Sequence, residues 1–228
     1  MRIPITKYGL PQVAVFPAII IIVMAVALLL ALKFKFGPVP IILIELALFA
    51  VLIWVLAFFR DPARTPPQDT NILLSPADGL ISDITVVDEP AVGGEALRIG
   101  IFLNIFNVHI NRTPCAVTIN DIKYKKGKYK NALNPESAQV NEANALTMTR
   151  LNEPKDKLLV RQISGAIARR IVCRAKPGDK FKSGEKFGMI KFGSRTELYL
   201  PNSDSAKCQV KIGDKVKAGL TILVRYKE

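Results

Sequence analysis

Two long apolar stretches near the N-terminus constrain this chain more than any other feature. Residues 13–32 carry no charged side chain, and residues 37–59 carry one, Glu45. Each stretch has roughly the 20 residues that a helix needs to cross the hydrocarbon core of a bilayer. The sequence therefore predicts a membrane anchor of two helices in residues 1–60, followed by a separate domain in residues 61–228.

Basic residues flank these stretches on both sides, so the charge bias is small. Two crossings would put both ends of the anchor on one side, and the positive-inside rule then favours a cytoplasmic C-terminal domain. We therefore predict a cell-membrane protein whose C-terminal domain lies on the cytoplasmic face. A hairpin that enters one leaflet and returns is the alternative, because Pro38 and Pro40 lie near the start of the second stretch. The flanking basic residues are Arg2, Lys7, Lys33, Lys35, Arg60 and Arg64.

The chain carries a formal net charge of +13, and most of this excess lies after residue 60. A basic domain beside a membrane anchor suits an anionic lipid surface. Basic surfaces also bind nucleic acid, but no nucleic-acid-binding motif is present, so we expect lipid and no nucleic acid. The structural alternative is a solvated lysine-rich surface without a ligand.

The three cysteines form neither a metal-binding pattern nor a disulfide framework, because their number is odd and their spacing is wide. The sequence therefore predicts no metal site. The lack of a disulfide pattern fits a reducing compartment, where thiols stay free. The cysteines are Cys115, Cys173 and Cys208.

Short runs of β type dominate the sequence after the anchor. Residues 58–69 hold three prolines and alternating charges, which is typical of an extended linker. From Ile72 onward, apolar β-branched runs alternate with turn residues, which predicts a mainly β domain. Residues 134–150 are polar and rich in asparagine, which favours a loop.

The C-terminal part contains an internal repeat. The motif Gly-Asp-Lys-x-Lys-x-Gly occurs at residues 178–184 and again at residues 213–219. Glycine at both ends of each motif can supply a corner with positive φ. The repeat predicts that the β-rich domain ends in a pseudo-symmetric sandwich like those of biotinyl and lipoyl carrier proteins.

Three residues could form a hydroxyl nucleophile with an oriented base: Ser194, His109 and Asp78. Each has a structural alternative, because a lone histidine is often structural and Asp-Gly is a common turn pair. One interpretation is a membrane-tethered Ser-His-Asp hydrolase. Against it, the sequence lacks the Gly-x-Ser-x-Gly motif of many hydrolases.

Lys191 suggests a different, non-enzymatic function. Carrier proteins present a lysine, commonly between two methionines, at the tip of a hairpin. Here Ile190 separates Met189 from Lys191, and Phe192 replaces the second methionine. A membrane-tethered carrier or adaptor therefore stays open as an alternative.

Several blocks from Phe58 to the end of the chain, in this order, resemble one family. Together they are similar to phosphatidylserine decarboxylase proenzymes of the short, membrane-anchored type. The block from Gly184 to Pro201 is the most specific. The blocks are FFRDPART, SPADG, IFLNIFNVHINRTP, VRQISGAIARRIVC, GDKFKSGEKFGMIKFGSRTELYLP and GDKVKAGLTIL.

The resemblance implies a zymogen that cuts itself between Gly193 and Ser194. Serinolysis would give a β chain of residues 1–193 and an α chain of residues 194–228, which stay together as a heterodimer; a higher oligomer is left open. Ser194 would become a covalent pyruvoyl group, so the cofactor is pyruvate and no metal is needed.

The resemblance also implies the reaction of phospholipid biosynthesis that this lyase would perform. The pyruvoyl group would form a Schiff base with phosphatidylserine, an anionic phospholipid, and accept the electron pair released with CO₂. The product would be phosphatidylethanolamine. His109 and Asp78 would be the further catalytic residues.

One position departs from the pattern of some longer members of this family. Those members have a second histidine three residues after the first, and Arg112 occupies that place here. The second histidine is commonly assigned to self-cleavage. The sequence therefore leaves open whether His109 serves self-cleavage, decarboxylation or both.

Overall fold

The computed structural model describes residues 5–128, 140–165, 170–191 and 194–227. It divides into two units, Met1–Ala63 and Arg64–Glu228. Phe192 and Gly193, on the N-terminal side of the predicted cleavage bond, lie outside the described residues.

The first unit contains two apolar helices, α1 (Gln12–Lys33) and α2 (Pro38–Phe58). A short 3-10 turn, Lys7–Gly9, precedes α1. Both helices are long and apolar enough to cross a membrane by length and composition. Proline at the first position of α2 suits a helix start, because the N–H group that it lacks would have no helical partner there. The two predicted apolar helices are therefore confirmed.

The second unit is built from antiparallel strands, which confirms the prediction of a mainly β domain. A 3-10 turn, Pro90–Val92, connects β2 to β3. The strands are β1 (Ile72–Leu74), β2 (Gly79–Glu89), β3 (Gly94–Leu103), β4 (Ile110–Arg112), β5 (Val117–Lys125), β6 (Ala143–Arg150), β7 (Lys157–Ser164), β8 (Ile171–Cys173), β9 (Lys180–Phe181), β10 (Lys186–Ile190), β11 (Ser194–Pro201), β12 (Ala206–Cys208), β13 (Lys215–Val216) and β14 (Ile222–Tyr226).

The strands form one large sheet and two small ones. The large sheet has the order β13-β2-β3-β11-β7-β6-β5-β9, and the small sheets have the orders β1-β14-β12 and β4-β10-β8. Alternate residues of the large sheet, such as Ile101, Leu198 and Val160, are fully buried in the main hydrophobic cluster. Leu73 and Phe187 of the small sheets join the same cluster. We call this face of the large sheet its inner face, because side chains of period two on one face build the core.

The interpretation of residues 134–150 as a loop was wrong for its second half, which is strand β6. The polar residues of β6 alternate with Leu146 and Met148, whose side chains are fully buried. Asn144 is also buried, and its amide donates to Gln162 of the neighbouring β7 at 3.1 Å. A hydrogen-bonded partner on the next strand therefore makes a polar residue compatible with an inner-face position.

The two copies of the internal repeat adopt the same local structure. The first glycines, Gly178 and Gly213, have φ values of 90° and 95°, a region that side chains disfavour. Gly178 N–H donates to Ile119 of β5, and Gly213 N–H donates to Ile81 of β2. Each copy is thus joined to a strand of the large sheet by the same main-chain hydrogen bond. Their resemblance to a carrier-type sandwich stays a prediction.

Candidate active site

Ser194 is the first residue of β11, which is a central strand of the large sheet. It pairs with Leu103 of β3 on one side and Ser164 of β7 on the other. Its side chain is fully buried, and its Oγ has no hydrogen-bond partner among the described residues. The alternation of β11 puts this Oγ on the inner face, with Thr196. A buried hydroxyl without a partner costs stability, so its presence suits a reactive group.

Strand β4 contacts the chain on both sides of the predicted cleavage bond. Ile190, four residues before Ser194, donates its N–H to the carbonyl oxygen of His109 at 3.1 Å. Asn111 Nδ2 donates to Thr196 Oγ1, two residues after Ser194, at 3.0 Å. The structure therefore brings β4, which His109 directly precedes, to the segment that carries Ser194.

The ring of His109 is fully buried, and its Nδ1 lies 3.0 Å from the carbonyl oxygen of Asn107. A carbonyl oxygen only accepts hydrogen bonds, so this contact requires the proton on Nδ1. In the neutral ring, Nε2 is then the unprotonated nitrogen. The local backbone thus selects the tautomer in which Nε2 can take a proton.

Asp78 is bound to groups other than His109 and Ser194. Its two carboxylate oxygens accept from Nη1 and Nη2 of Arg64 at 2.6 and 2.8 Å. The backbone N–H of Ala218, within the second repeat, donates to the same carboxylate at 2.8 Å. This bidentate pair is almost fully buried, so Asp78 joins the start of the second unit to the repeat turn.

Arg112, at the place of the second histidine of longer relatives, is also a connecting residue. Its Nη1 donates to the carbonyl oxygen of Gly184 at 3.0 Å, at the end of the first repeat. The side chain is 6% exposed and also lies against Gly219, the last glycine of the second repeat. Arg112 therefore holds the ends of the two repeats together.

A chain of neutral polar side chains lies beside Ser194 on the inner face, and sequence reasoning missed it. Asn111, which donates to Thr196, accepts from Gln162 Nε2 at 2.9 Å. Gln162 Oε1 in turn accepts from Asn144 at 3.1 Å. All four residues are at most 4% exposed. We call this set, Thr196, Asn111, Gln162 and Asn144, the neutral layer.

The outer face of β11 carries charged residues instead. The guanidinium of Arg195, which is fully buried, donates to Glu197 Oε1 at 2.8 Å, to Ser82 Oγ at 2.7 Å and to Asp83 Oδ2 at 2.5 Å. Glu197 also accepts from the hydroxyl of Tyr199 at 2.7 Å. We call this set, Arg195, Ser82, Asp83, Glu197 and Tyr199, the charged network.

The charged network shifts the acidity of its members in directions that keep it intact. Burial alone would raise the pKa of Asp83, but the hydrogen bond and charge of Arg195 outweigh it and lower that pKa. Burial and the negative charge of Glu197 raise the pKa of Tyr199, so its hydroxyl keeps the proton that it donates. Glycine is required at position 100, because a side chain there would collide with Arg195 and Asp83.

Lys191 is 3% exposed and follows β10, three residues before Ser194. Burial, together with the charge of Arg170, lowers the pKa of its amine. A carrier lysine must be accessible to the enzyme that modifies it. The buried position of Lys191 therefore does not support the carrier interpretation.

Comparisons with known proteins place the chain in a family. The family model for phosphatidylserine decarboxylase matches residues 51–224. The chain is 42% identical over 183 residues to a phosphatidylserine decarboxylase proenzyme of Carboxydothermus hydrogenoformans, which covers 80% of this chain and 84% of that protein. It is 48% identical over 169 residues to a proenzyme of the same name from Desulfotalea psychrophila, covering 74% and 77% of the two chains.

A third relative, the phosphatidylserine decarboxylase proenzyme of Nitrosomonas eutropha, is 44% identical over 182 residues, or 80% of this chain and 82% of that protein. The matched region includes nearly all of the second unit. The chain therefore belongs to the phosphatidylserine decarboxylase family and is a decarboxylase, that is, a carboxy-lyase.

Proposed function

We propose that this chain cuts its own Gly193–Ser194 bond, converts Ser194 into a pyruvoyl group, and decarboxylates phosphatidylserine to phosphatidylethanolamine. The observation that carries the proposal is the buried Ser194 Oγ, which has no partner among the described residues. It lies at the start of β11, which β4 contacts just after His109. The proenzyme names of the relatives support the self-processing step.

The first step would use Ser194 as a nucleophile. Its Oγ attacks the carbonyl carbon of Gly193 while Nε2 of His109 accepts the hydroxyl proton. The C–N bond of Gly193–Ser194 breaks, the nitrogen takes a proton, and an ester replaces the amide. Glycine leaves the carbonyl carbon uncrowded, which suits this attack.

The second step would separate the two chains. Loss of the α-proton of Ser194 expels the Gly193 carboxylate and leaves dehydroalanine at the start of the α chain. Its imine form takes up water and releases ammonia, which leaves the pyruvoyl group. The atoms balance without an external oxidant or metal.

The surroundings of Ser194 fit such a group. Main-chain pairing with Leu103 and Ser164 fixes the backbone at this position. The buried neutral layer beside it would exclude water and offer hydrogen bonds, and His109 would hold a proton for return to the product carbon. When formed, the pyruvoyl ketone supplies the electron sink for loss of CO₂.

We further propose that residues 1–193 and 194–228 remain one heterodimer after cleavage. Strand β11 lies between β3 and β7, and both belong to the larger chain. Strand β14 pairs with β1, so the smaller chain is held at its other end too. Cleavage before Ser194, the first residue of β11, would break none of the described strands.

For the location, we propose that α1 and α2 anchor the protein in the cell membrane, with the catalytic domain on the cytoplasmic face. Their length and composition support the anchor. The substrate is itself a membrane lipid. The small positive-inside bias supports the orientation.

The proposed roles of His109 and Asp78 can be separated by following cleavage over time in newly made full-length chains. We expect His109→Ala to slow cleavage by about 10²–10⁴-fold, because it removes the base. Asp78→Asn, which keeps the shape but weakens the Arg64 pair, should lower thermal stability and leave cleavage of the folded protein nearly unchanged. Slow cleavage in folded Asp78→Asn would instead make Asp78 a partner of the base.

The decarboxylation itself is tested by purified, cleaved protein with phosphatidylserine in mixed micelles. We expect release of CO₂ and formation of phosphatidylethanolamine, and none with Ser194→Ala. Cleaved wild-type protein that releases no CO₂ would contradict the proposed substrate.

A further inference from the structure

The end of the large sheet where Ser194 lies also holds the ends of several neighbouring strands. Strand β3 ends at Leu103, which is paired with Ser194, and β7 ends at Ser164 on the other side. Ala143, at the start of β6, pairs with both Ile163 and Lys125, the last residue of β5. The loops that follow β3 and β5 therefore lie at this end, which we call the Ser194 end.

Exposed aromatic and basic side chains surround the Ser194 end. Phe106, three residues after β3 ends, is 68% exposed, and Tyr124 of β5 is 60% exposed. Lys126 and Lys128 follow β5 and are exposed, as is Arg170, whose carbonyl oxygen accepts from Lys191 N–H. We call these five residues the basic rim.

The basic rim extends on both sides of Ser194. Phe106 follows the strand next to β11, whereas Lys126 and Lys128 follow a strand three places away on the other side. Strands about 4.8 Å apart put these two parts of the rim about 19 Å apart, with Ser194 between them. A flat surface that contacts both parts would lie over the reactive residue.

Among the described residues, the exposed charges at this end are basic; the carboxylate of Glu142, which accepts from the hydroxyl of Tyr124 at 2.9 Å, is buried. No described acidic side chain lies within 4 Å of the charged groups of Lys126, Lys128 or Arg170. At the opposite end of the sheet the exposed charges are mixed. Asp88, Glu95 and Glu153 lie there beside Lys155 and Lys157. An electric field that orients the domain on an anionic surface would therefore point the Ser194 end toward it.

We propose that the basic rim docks the domain on the headgroups of an anionic bilayer, with Phe106 among the acyl chains, so that lipid enters at Ser194. The docking would deliver phosphatidylserine to Ser194, and this consequence rests on the proposed function. Exposed lysines are attracted to anionic headgroups. An exposed aromatic ring beside them adds apolar contact, a combination typical of surfaces that lie on a membrane.

The direct test measures insertion at position 106. Trp54 is the only tryptophan. Full-length Trp54→Phe/Phe106→Trp protein in vesicles therefore reports from position 106 alone. We expect brominated acyl chains to quench its fluorescence in phosphatidylcholine vesicles with 30 mol % phosphatidylglycerol, a proportion of about one third chosen for surface charge, and much less in phosphatidylcholine alone. No quenching, or equal quenching in both, would overturn the proposal.

A charge reversal tests the basic part of the rim. In the same background, Lys126→Glu/Lys128→Glu should abolish the quenching. In the chain with native Trp54 and Phe106 it should raise the apparent KM for vesicle phosphatidylserine by about 20-fold or more, from about 5-fold per lysine. The matched control, Lys155→Glu/Lys157→Glu, reverses the same number of charges at the opposite end of the sheet. It should change the quenching and the apparent KM by less than about 2-fold. Equal effects of the two pairs would overturn the proposal.

The test separates docking from the proposed reaction. Cleavage at Gly193–Ser194 is intramolecular and is read by mass, and quenching needs no turnover. Rim-dependent quenching in a protein that neither cleaves nor decarboxylates would support docking and contradict the proposed function. If the protein cleaves and decarboxylates but the rim variants have no effect, the proposed function is supported and docking is contradicted. Binding of the rim to an acidic protein, without quenching by lipid, would also overturn the proposal.

Discussion

The two faces of strand β11 are built in opposite ways. On the inner face, Ser194 and Thr196 meet neutral side chains, and Ser194 Oγ has no partner among the described residues. On the outer face, Arg195 and Glu197 are fully buried in hydrogen bonds between charged groups. Successive residues of β11 thus alternate between neutral and charged hydrogen-bond partners.

Because its two faces differ in this way, one strand can be held in place and still carry a reactive residue. A buried ion network adds little net stability, but removing one member is costly because the other charges stay buried. The charged network therefore fixes the position of β11. The neutral layer holds no charge that would compete for the hydroxyl proton of Ser194. We infer that the outer face positions the strand and the inner face leaves Ser194 free to react.

The largest expected effect comes from Ser194→Ala. It should abolish both cleavage and decarboxylation, because it removes the nucleophile and the source of the pyruvoyl group. Compared with the uncut wild-type chain, the free energy of unfolding should change by less than about 1 kcal/mol, since Ser194 Oγ has no hydrogen-bond partner among the described residues. Mass spectrometry and denaturant unfolding in detergent measure the two properties. A variant that unfolds far more easily would show that Ser194 Oγ has a structural partner.

The next effect is that of Arg195→Met on stability. It removes the fully buried cation between Asp83 and Glu197, which keep only the more exposed Arg98 and Arg161, at 3.1 and 3.6 Å. We therefore expect a loss of up to about 3–5 kcal/mol in the free energy of unfolding. The double variant Arg195→Met/Glu197→Gln should recover part of this loss. If Arg195→Met were as stable as the wild-type protein, the charged network would not fix β11.

A smaller loss is expected from Gln162→Leu in the neutral layer. It removes the donor to Asn111 and the acceptor for Asn144, at a cost of about 1–3 kcal/mol for neutral groups. Denaturant unfolding of Gln162→Leu and Arg195→Met, measured side by side, compares how much each face of β11 contributes to the free energy of unfolding. A larger loss from Gln162→Leu than from Arg195→Met would reverse the comparison.

The smallest effect is a difference in acid sensitivity. Because Arg195 lowers the pKa of folded Asp83, the ionised form stabilises the fold. This contribution is complete above the pKa of the unfolded state, about 3.9, and is lost as pH falls through the lower folded value. The stability gap between wild-type protein and Asp83→Asn should therefore narrow below about pH 4. A gap that is constant with pH would show that ionised Asp83 is not the stabilising form.

Much of the fold followed from local patterns in the sequence. The uncharged stretches predicted α1 and α2, and β-branched runs predicted the mainly β domain, because both signals depend on residues close in the chain. Strand β6 was missed, since its buried Asn144 depends on Gln162 of another strand. A partner that is distant in sequence leaves no local signal.

The candidate site followed from the sequence in a similar, partial way. The family blocks pointed to Ser194 and His109, but not to the neutral layer or the charged network, whose members come from β2, β4, β6, β7 and β11. The sequence also suggested Asp78, and the structure pairs it with Arg64, which precedes it by 14 residues. The role of Asp78 in cleavage stays an untested prediction from the sequence; its contacts favour a structural role, and the Asp78→Asn experiment decides between the two.

The most direct test of the central claim is the intact mass of the purified full-length protein. We expect two chains with the break after Gly193, the smaller one lighter by one ammonia than residues 194–228 with an unmodified Ser194. A single uncut chain in protein that decarboxylates phosphatidylserine would contradict self-processing at Ser194.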